Sequence, residues 1–240
     1  MPTISNAYIG NTPVSGVYRG SVPLWVPDLA TPGGGGGGGG LAILGTTVST
    51  NVGSQIKRVA VPEGTEDGDL LVLLTGTQAI STVLPEGFTE LERVGSGDLQ
   101  NAATASWRVA SNEPDYYDVG QTATATMRGH AVLFRLPASA SVGDTSGFYE
   151  INTEPIAYVP AVEVVSPSAL ILFTAGVRTA ATGPVIYPEG AVEISKLTDG
   201  STFTGAIGWL PASGEGTNGP IPLTFSEPMR GSRVGVVIEP

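Results

Sequence analysis

The chain has 240 residues, with 22 acidic against 11 basic side chains, and only 14% of its residues are charged. A net charge of −11 with scattered basic residues offers no surface to displace counterions from phosphates, which excludes nucleic acid as a partner. With no cysteine and one histidine, disulfides, thiolate metal sites and a multi-histidine zinc site within one chain are also excluded; no cofactor is expected, and calcium is left only to a clustering of Asp115, Asp118 or Asp144, with no EF-hand-like or Asp-rich repeat behind it.

An apolar fraction of 41% at such low charge is the composition of a folded chain, since disorder pairs high charge with low hydrophobicity. Val, Thr and Ala are the commonest residues after Gly, and turn residues recur roughly every eight to twelve positions, so the chain reads as all-β. The longest apolar run, Ala169 to Val177, is far short of the roughly 20 residues of a membrane helix, and no membrane insertion is expected. The start, Met1-Pro2-Thr3-Ile4, lacks the basic region and apolar stretch of a secretory signal, so synthesis in a cytosol without a signal peptide is expected.

Residues 1–28 contain a short echo: Ala7-Tyr8-Ile9-Gly10-Asn11-Thr12-Pro13-Val14 is followed by Val17-Tyr18-Arg19-Gly20-Ser21-Val22-Pro23-Leu24. Each unit is a β-prone stretch broken by Gly and Pro, and the two are expected to form a hairpin or two arms of a small β element. An isolated element of this size is barely stable in water, and Leu24, Trp25 and Val26 leave it with apolar surface that needs a partner. The segment is therefore read as an anchor that docks on another chain.

Residues 29–40 form a Pro- and Gly-rich linker in which Gly33 to Gly40 are all glycine. Polyglycine has the most backbone entropy to lose and defaults to a flexible tether. A phosphate-binding loop would need a strand before it and a helix after it. Here Pro32 precedes, and the β-prone Leu41-Ala42-Ile43-Leu44 follows.

From residue 41 the chain repeats itself at an offset of about 102. Pro85-Glu86-Gly87 returns as Pro188-Glu189-Gly190, Trp107 as Trp209, and Met127-Arg128-Gly129 as Met229-Arg230-Gly231. Leu70-Leu71-Val72-Leu73-Leu74 returns as Leu170-Ile171-Leu172-Phe173. Two tandem β-sandwich modules are expected, residues 41–140 and 141–240, wired as jelly-roll or immunoglobulin-like folds and joined near Pro137 to Asp144. In the first module, strands are expected at Leu41–Thr47, Gln55–Val61, Asp69–Thr75, Phe88–Val94, Ala102–Ala110, Thr122–Met127 and His130–Leu136. In the second they are expected at Gly147–Asn152, Ala157–Val164, Ala169–Gly176, Val192–Leu197, Phe203–Leu210, Ile221–Phe225 and Arg233–Glu239. In Asp69–Leu74 the run from Leu70 is apolar throughout, as in a central strand covered on both faces. Ile56, Arg58 and Ala60 share one face of their strand, and Lys57, Val59 and Val61 the other.

Residues common to both copies read as scaffold. Trp107 and Trp209 are expected in the cores, Gly129 and Gly231 in tight turns of positive φ, and Arg128 and Arg230 beside carboxylates. His130 has Ser232 at the matching position and reads as a surface or rim residue. No Gly-x-Ser-x-Gly motif is present and the lone histidine has no evident partner, so no catalytic residue is expected. What differs between copies is the better guide to function. Asp115, Tyr116, Tyr117 and Asp118 form an expected loop where rings beside carboxylates could hold a sugar by stacking and hydrogen bonding.

The opening Tyr8-Ile9-Gly10-Asn11-Thr12-Pro13-Val14, with Val17-Tyr18-Arg19-Gly20-Ser21 and Leu24-Trp25, resembles the start of virion proteins of tailed bacteriophages and related gene transfer agents. These open minor tail, fibre or spike proteins, and the glycine-rich stretch after them also looks like those proteins. Gly68-Asp69-Leu70-Leu71-Val72, Leu84-Pro85-Glu86-Gly87-Phe88 and Trp107-Arg108-Val109-Ala110 are similar to β-sandwich modules of phage structural proteins. Gly87-Phe88 stands where the usual wording is Gly-Trp. The resemblance implies a non-enzymatic virion part, made in the bacterial cytosol. It would be anchored to other virion proteins through residues 1–40, by Tyr8, Gly10, Pro13, Tyr18, Gly20 and Trp25. It implies a homo-oligomer, a trimer above other states, and attachment to a host-surface glycan. The alternative reading is a carbohydrate-binding module for cell-surface glycans.

Overall fold

The computed structural model describes residues 7–9, 12–14, 41–52, 56–78, 82–96, 101–121, 128–151, 154–178, 184–198 and 203–240. Residues 1–39 and 40–240 are two compact units. In the first, β1 (Ala7–Ile9) pairs antiparallel with β2 (Thr12–Val14), Tyr8 opposite Pro13. The pairing therefore lies inside the first unit of the echo, and the second unit lies outside the described residues.

The larger unit is all-β, with no helix among its described residues. Its first half contains β3 (Gly45–Val52), β4 (Ile56–Ala60), β5 (Leu70–Thr77), β6 (Thr82–Val83), β7 (Thr89–Ser96), β8 (Asn101–Val109), β9 (Tyr116–Gln121) and β10 (Arg128–Leu136). A five-stranded antiparallel sheet runs β3-β10-β5-β8-β7, and a smaller one runs β4-β9-β6. The second half contains β11 (Ser141–Ile151), β12 (Ile156–Val159), β13 (Val162–Val164), β14 (Leu170–Arg178), β15 (Val192–Thr198), β16 (Thr204–Pro211), β17 (Gly216–Asn218), β18 (Ile221–Thr224) and β19 (Arg230–Glu239). Its large sheet runs β11-β19-β14-β16-β15, the same order strand for strand. Two short pairs, β12-β18 and β13-β17, replace the small sheet, and Ile186 bridges to Thr224. The expected strand at Thr122–Met127 lies outside the described residues.

In each half the small strands cover one face of the large sheet. Val59, Tyr117 and Val119 pack on Leu71, Leu73, Ala131 and Leu133. In the second half Val159, Val162, Ile221 and Leu223 pack on Ile171, Phe173, Ala175 and Val237. Side chains alternate along a strand, so Val72 and Leu74 point away from the first of these cores. They are buried all the same, because the two large sheets pack face to face, β5 on β14. This is why Leu70–Leu74 and Leu170–Phe173 are apolar at every position rather than at alternate ones.

The contacts between the large sheets come in matched pairs. Strand β7 meets β11 and β3 meets β15; β8 meets β19 and β10 meets β16; β5 meets β14. Exchanging equivalent strands turns each contact into its partner, which is the pattern of a local two-fold axis near β5 and β14. At the axis Gly76 and Gly176 face each other, a Cβ on Gly176 lying 3.5 Å from Gly76 Cα. A Cβ on Gly76 would lie 2.8 Å from the Ala175 carbonyl, and one on Gly176 would lie 2.8 Å from that of Ala102.

Several scaffold residues sit differently from their sequence expectation. Gly129 and Gly231 are within β10 and β19, not in turns of positive φ. A Cβ on Gly129 would meet Lys57 Nζ at 2.6 Å and the Gly76 carbonyl at 2.9 Å, so the requirement there is close approach. Trp107 and Trp209 are half-buried rather than central. They stand in register with Val72 and Leu172, on the face shared by the large sheets. Positive φ is found instead in the Pro-Glu-Gly turns: Phe88 N–H donates to Pro85 O, Ala191 N–H to Pro188 O, and Gly87 and Gly190 have φ of 84° and 81°.

Candidate functional site

The four residues Asp115, Tyr116, Tyr117 and Asp118 do not share one surface. Tyr116 opens β9, pairing with Ala60 of β4, so the segment is largely a strand and not the expected loop. Alternation then splits the tyrosines. Tyr117 is 6% exposed and meets Phe88 edge-on, ring centroids 4.9 Å apart. Tyr116 faces out with the Arg58 guanidinium 4.2 Å above its ring, and Arg58 Nε donates to Asp118 Oδ1 at 3.1 Å. A stacking platform of two adjacent tyrosines is therefore not available: one ring is core and the other is covered by an arginine.

Asp115 instead lines a cleft of about 290 Å³, together with Val61, Pro62, Gly64, Thr65, Glu66, Asp67, Glu113 and Pro114. Much of its carboxylate chemistry holds the surrounding loops. Asp67 Oδ1 accepts from the Asn112 amide at 2.8 Å, steadying a non-glycine residue at φ 52°. Glu113 Oε1 accepts from the Ser111 amide at 2.7 Å and lies 3.0 Å from Arg108 Nη2. The Arg108 guanidinium in turn lies 5.6 Å from the Tyr117 ring centroid and 5.9 Å from that of Phe88. Asp69 Oδ2 accepts from Arg135 Nε and from the Glu66 amide. Glu66 and Asp115 remain as acceptors on an open polar cleft. Among the described residues no group of three His, Asp or Glu side chains could hold a metal ion.

The most unusual chemistry is buried. Lys57 shares a face of β4 with Val59, directed into the first core, and is 2% exposed. Its Nζ rests against Gly129 and has no hydrogen-bond partner among the described residues. Burial pushes this amine down to about 7. Thr75 and Thr104, paired across β5 and β8, bond through Thr82, at 3.1 and 3.4 Å.

His130, the next residue of β10, points the opposite way, between the large sheets. It is fully buried, which corrects the rim position expected for it. Its Nδ1 is 3.0 Å from Ser195 Oγ of β15. Burial, with the Lys57 ammonium adding to it, pushes the imidazole down to about 3, while the Ala175 carbonyl works weakly in the other direction. The ring stays neutral and behaves as packing. It occupies the space above Gly205, where a Cβ would collide with the imidazole.

His130 and Ser232 are equivalent, standing opposite Gly76 and Gly176 in their sheets. Their opposing residues, Gly205 and Ala103, are equivalent too. The larger side chain therefore faces the smaller partner. Ser232 Oγ instead reaches the Asn101 carbonyl at 3.4 Å, and Asn101 Nδ2 donates to Arg230 O at 3.2 Å. Sequence reading missed this arrangement. The available signals were Lys57 on the same strand face as Val59, and His130 standing where the other copy has Ser232.

Of the expected anchoring residues, Tyr8 lies on β1 and Pro13 on β2, paired across the hairpin. Gly10, Tyr18, Gly20 and Trp25 lie outside the described residues. Comparison with protein-family models, with curated proteins and with solved structures gives no match.

Proposed function

We propose that the protein is a non-enzymatic structural component of a phage-like particle. Residues 1–40 would dock on other virion proteins, and the β body would project from that point towards the host surface. The observation carrying this reading is the division of the chain: a compact β unit of residues 40–240, and a separate N-terminal unit whose wording resembles virion proteins. Eight consecutive glycines lie at the division. A tether of that composition lets a body be held without being oriented by its anchor. The polar cleft at Glu66 and Asp115 is the surface we assign to weak contacts with host glycans, in place of the paired tyrosines.

The test is deletion of residues 1–40 in the gene carried by particle-producing cells. The truncated protein is expected to be soluble, with the β-sheet circular dichroism of the full chain, and to be missing from purified particles. Incorporation at normal occupancy would sink the anchoring reading.

A further inference from the structure

The four outer strands of the two large sheets are not alike. An outer strand shows a row of unpaired backbone donors and acceptors, and proteins usually blunt it with charge, proline or a bulge. Strand β7 carries Glu90, Glu92 and Arg93 and slips register between Glu90 and Glu92. Strand β15 carries Glu193 and Lys196 and slips between Glu193 and Ser195. Strand β11 carries Asp144 and Glu150 and slips between Val142 and Thr145. Strand β3 has none of these devices. It reads Gly-Thr-Thr-Val-Ser-Thr-Asn-Val, without charge or proline, and pairs with β10 without a slip. No sheet partner lies on its other side among the described residues. Leu44, just before it, is 46% exposed.

We propose that β3 is a self-association strand, pairing antiparallel with β3 of a second copy to make one ten-stranded sheet across the two molecules. Three observations favour a second copy over a different protein. The chain carries a net charge of −11, so two copies meet with least repulsion along an uncharged strip, and β3 is one. A two-fold axis perpendicular to the sheet must place residues of the same parity opposite each other. Centred on Val48, it sets Val48 against Val48, Thr47 against Ser49 and Thr46 against Thr50. Hydroxyl pairs and β-branched pairs of this kind favour cross-strand pairing. The same centring keeps residues 45 to 51 of the strand in the overlap. Such a contact is two-fold, so a threefold arrangement on a particle would have to arise elsewhere in the chain.

The experiment measures the molar mass of the purified full chain by light scattering over a concentration series. Hydrogen exchange of residues 45–52 is followed at low and high concentration. A dimer whose β3 amides gain protection with concentration is expected. Thr46→Lys combined with Thr50→Lys opposes like charges at two places and should weaken association roughly tenfold or more. Thr46→Lys combined with Thr50→Glu sets Lys against Glu in the same register and should restore it. The thermal melt of each variant shows that it is folded. A monomer at all concentrations overturns the proposal. So does an oligomer that is indifferent to the lysine pair, or a failure of the Lys/Glu pair to restore association. None of these results depends on whether residues 1–40 join a particle.

Discussion

Lys57 and His130 sit back to back across β10, one in the first core and one between the large sheets. For Lys57 the folded value, about 7, lies below the ordinary 10.5. The unfolded chain therefore binds more protons between those two values, and stability rises with pH across that window, at up to about 1.4 kcal/mol per unit. Below pH 7 the cost of burying the charge is fully present. Replacing Lys57 with Met should abolish that slope and raise stability at pH 6–7. Urea denaturation of both proteins from pH 6 to 10 measures it, and parallel curves would rule out a strained amine. His130 follows the same sign lower down, because its folded value of about 3 is below the ordinary 6.5, so stability falls as the solution is acidified through that range. The fit of His130 to Gly205 makes a second prediction. Gly205→Ala should cost about 1–3 kcal/mol by overpacking. Combined with His130→Ser it should cost clearly less than the sum of the single changes, because the two residues touch. Additive costs in denaturation would separate them.

At the scale of elements, the strands were the legible part. Continuous apolar runs marked β5 and β14 as central, and alternation placed Lys57 with Val59. The Pro-Glu-Gly segments were legible only as a repeat; in the structure they are turns whose third residue takes positive φ. The two copies of that turn permit a clean comparison. Around Gly190 a Cβ would meet nothing within 4 Å, whereas around Gly87 it would lie 2.9 Å from Arg108 Nη1. Gly190→Ala should therefore cost only the backbone conformation, about 1–2 kcal/mol. Gly87→Ala should cost more, because Arg108 must move from Glu113 and from the rings of Phe88 and Tyr117. Equal losses in paired thermal melts would count against a positioned Arg108. Strand β9 was not legible, because Asp-Tyr-Tyr-Asp mixes turn-prone and strand-prone residues and only pairing with β4 decides between them.

For the whole molecule, each half is a sandwich whose large sheet has a second apolar face. That face finds its cover in the other half. The arrangement is that of an isologous dimer joined in one chain, with His130–Gly205 on one side of the axis differing from Ser232–Ala103 on the other. Residues 41–140 and 141–240 produced as separate chains should each aggregate or stay partly unfolded. Produced together they should purify as a one-to-one complex. Size-exclusion chromatography of the three preparations checks this, and two well-behaved monomers would mean that the shared face contributes little.

By itself the sequence determined the all-β class, the offset at which the second half echoes the first, and the central strands. These depend on local conformation and on periodicity, which neighbours in the chain express directly. The tertiary structure alone decided that the two large sheets share a face, that Tyr116 and Tyr117 part company, and that β3, among the described residues, is an outer strand of its sheet. It also decided that the one histidine is buried opposite a glycine 75 positions away. Those facts depend on which surfaces meet, and close approach between distant strands leaves only a missing side chain or an unexpected polar one as its trace in the sequence.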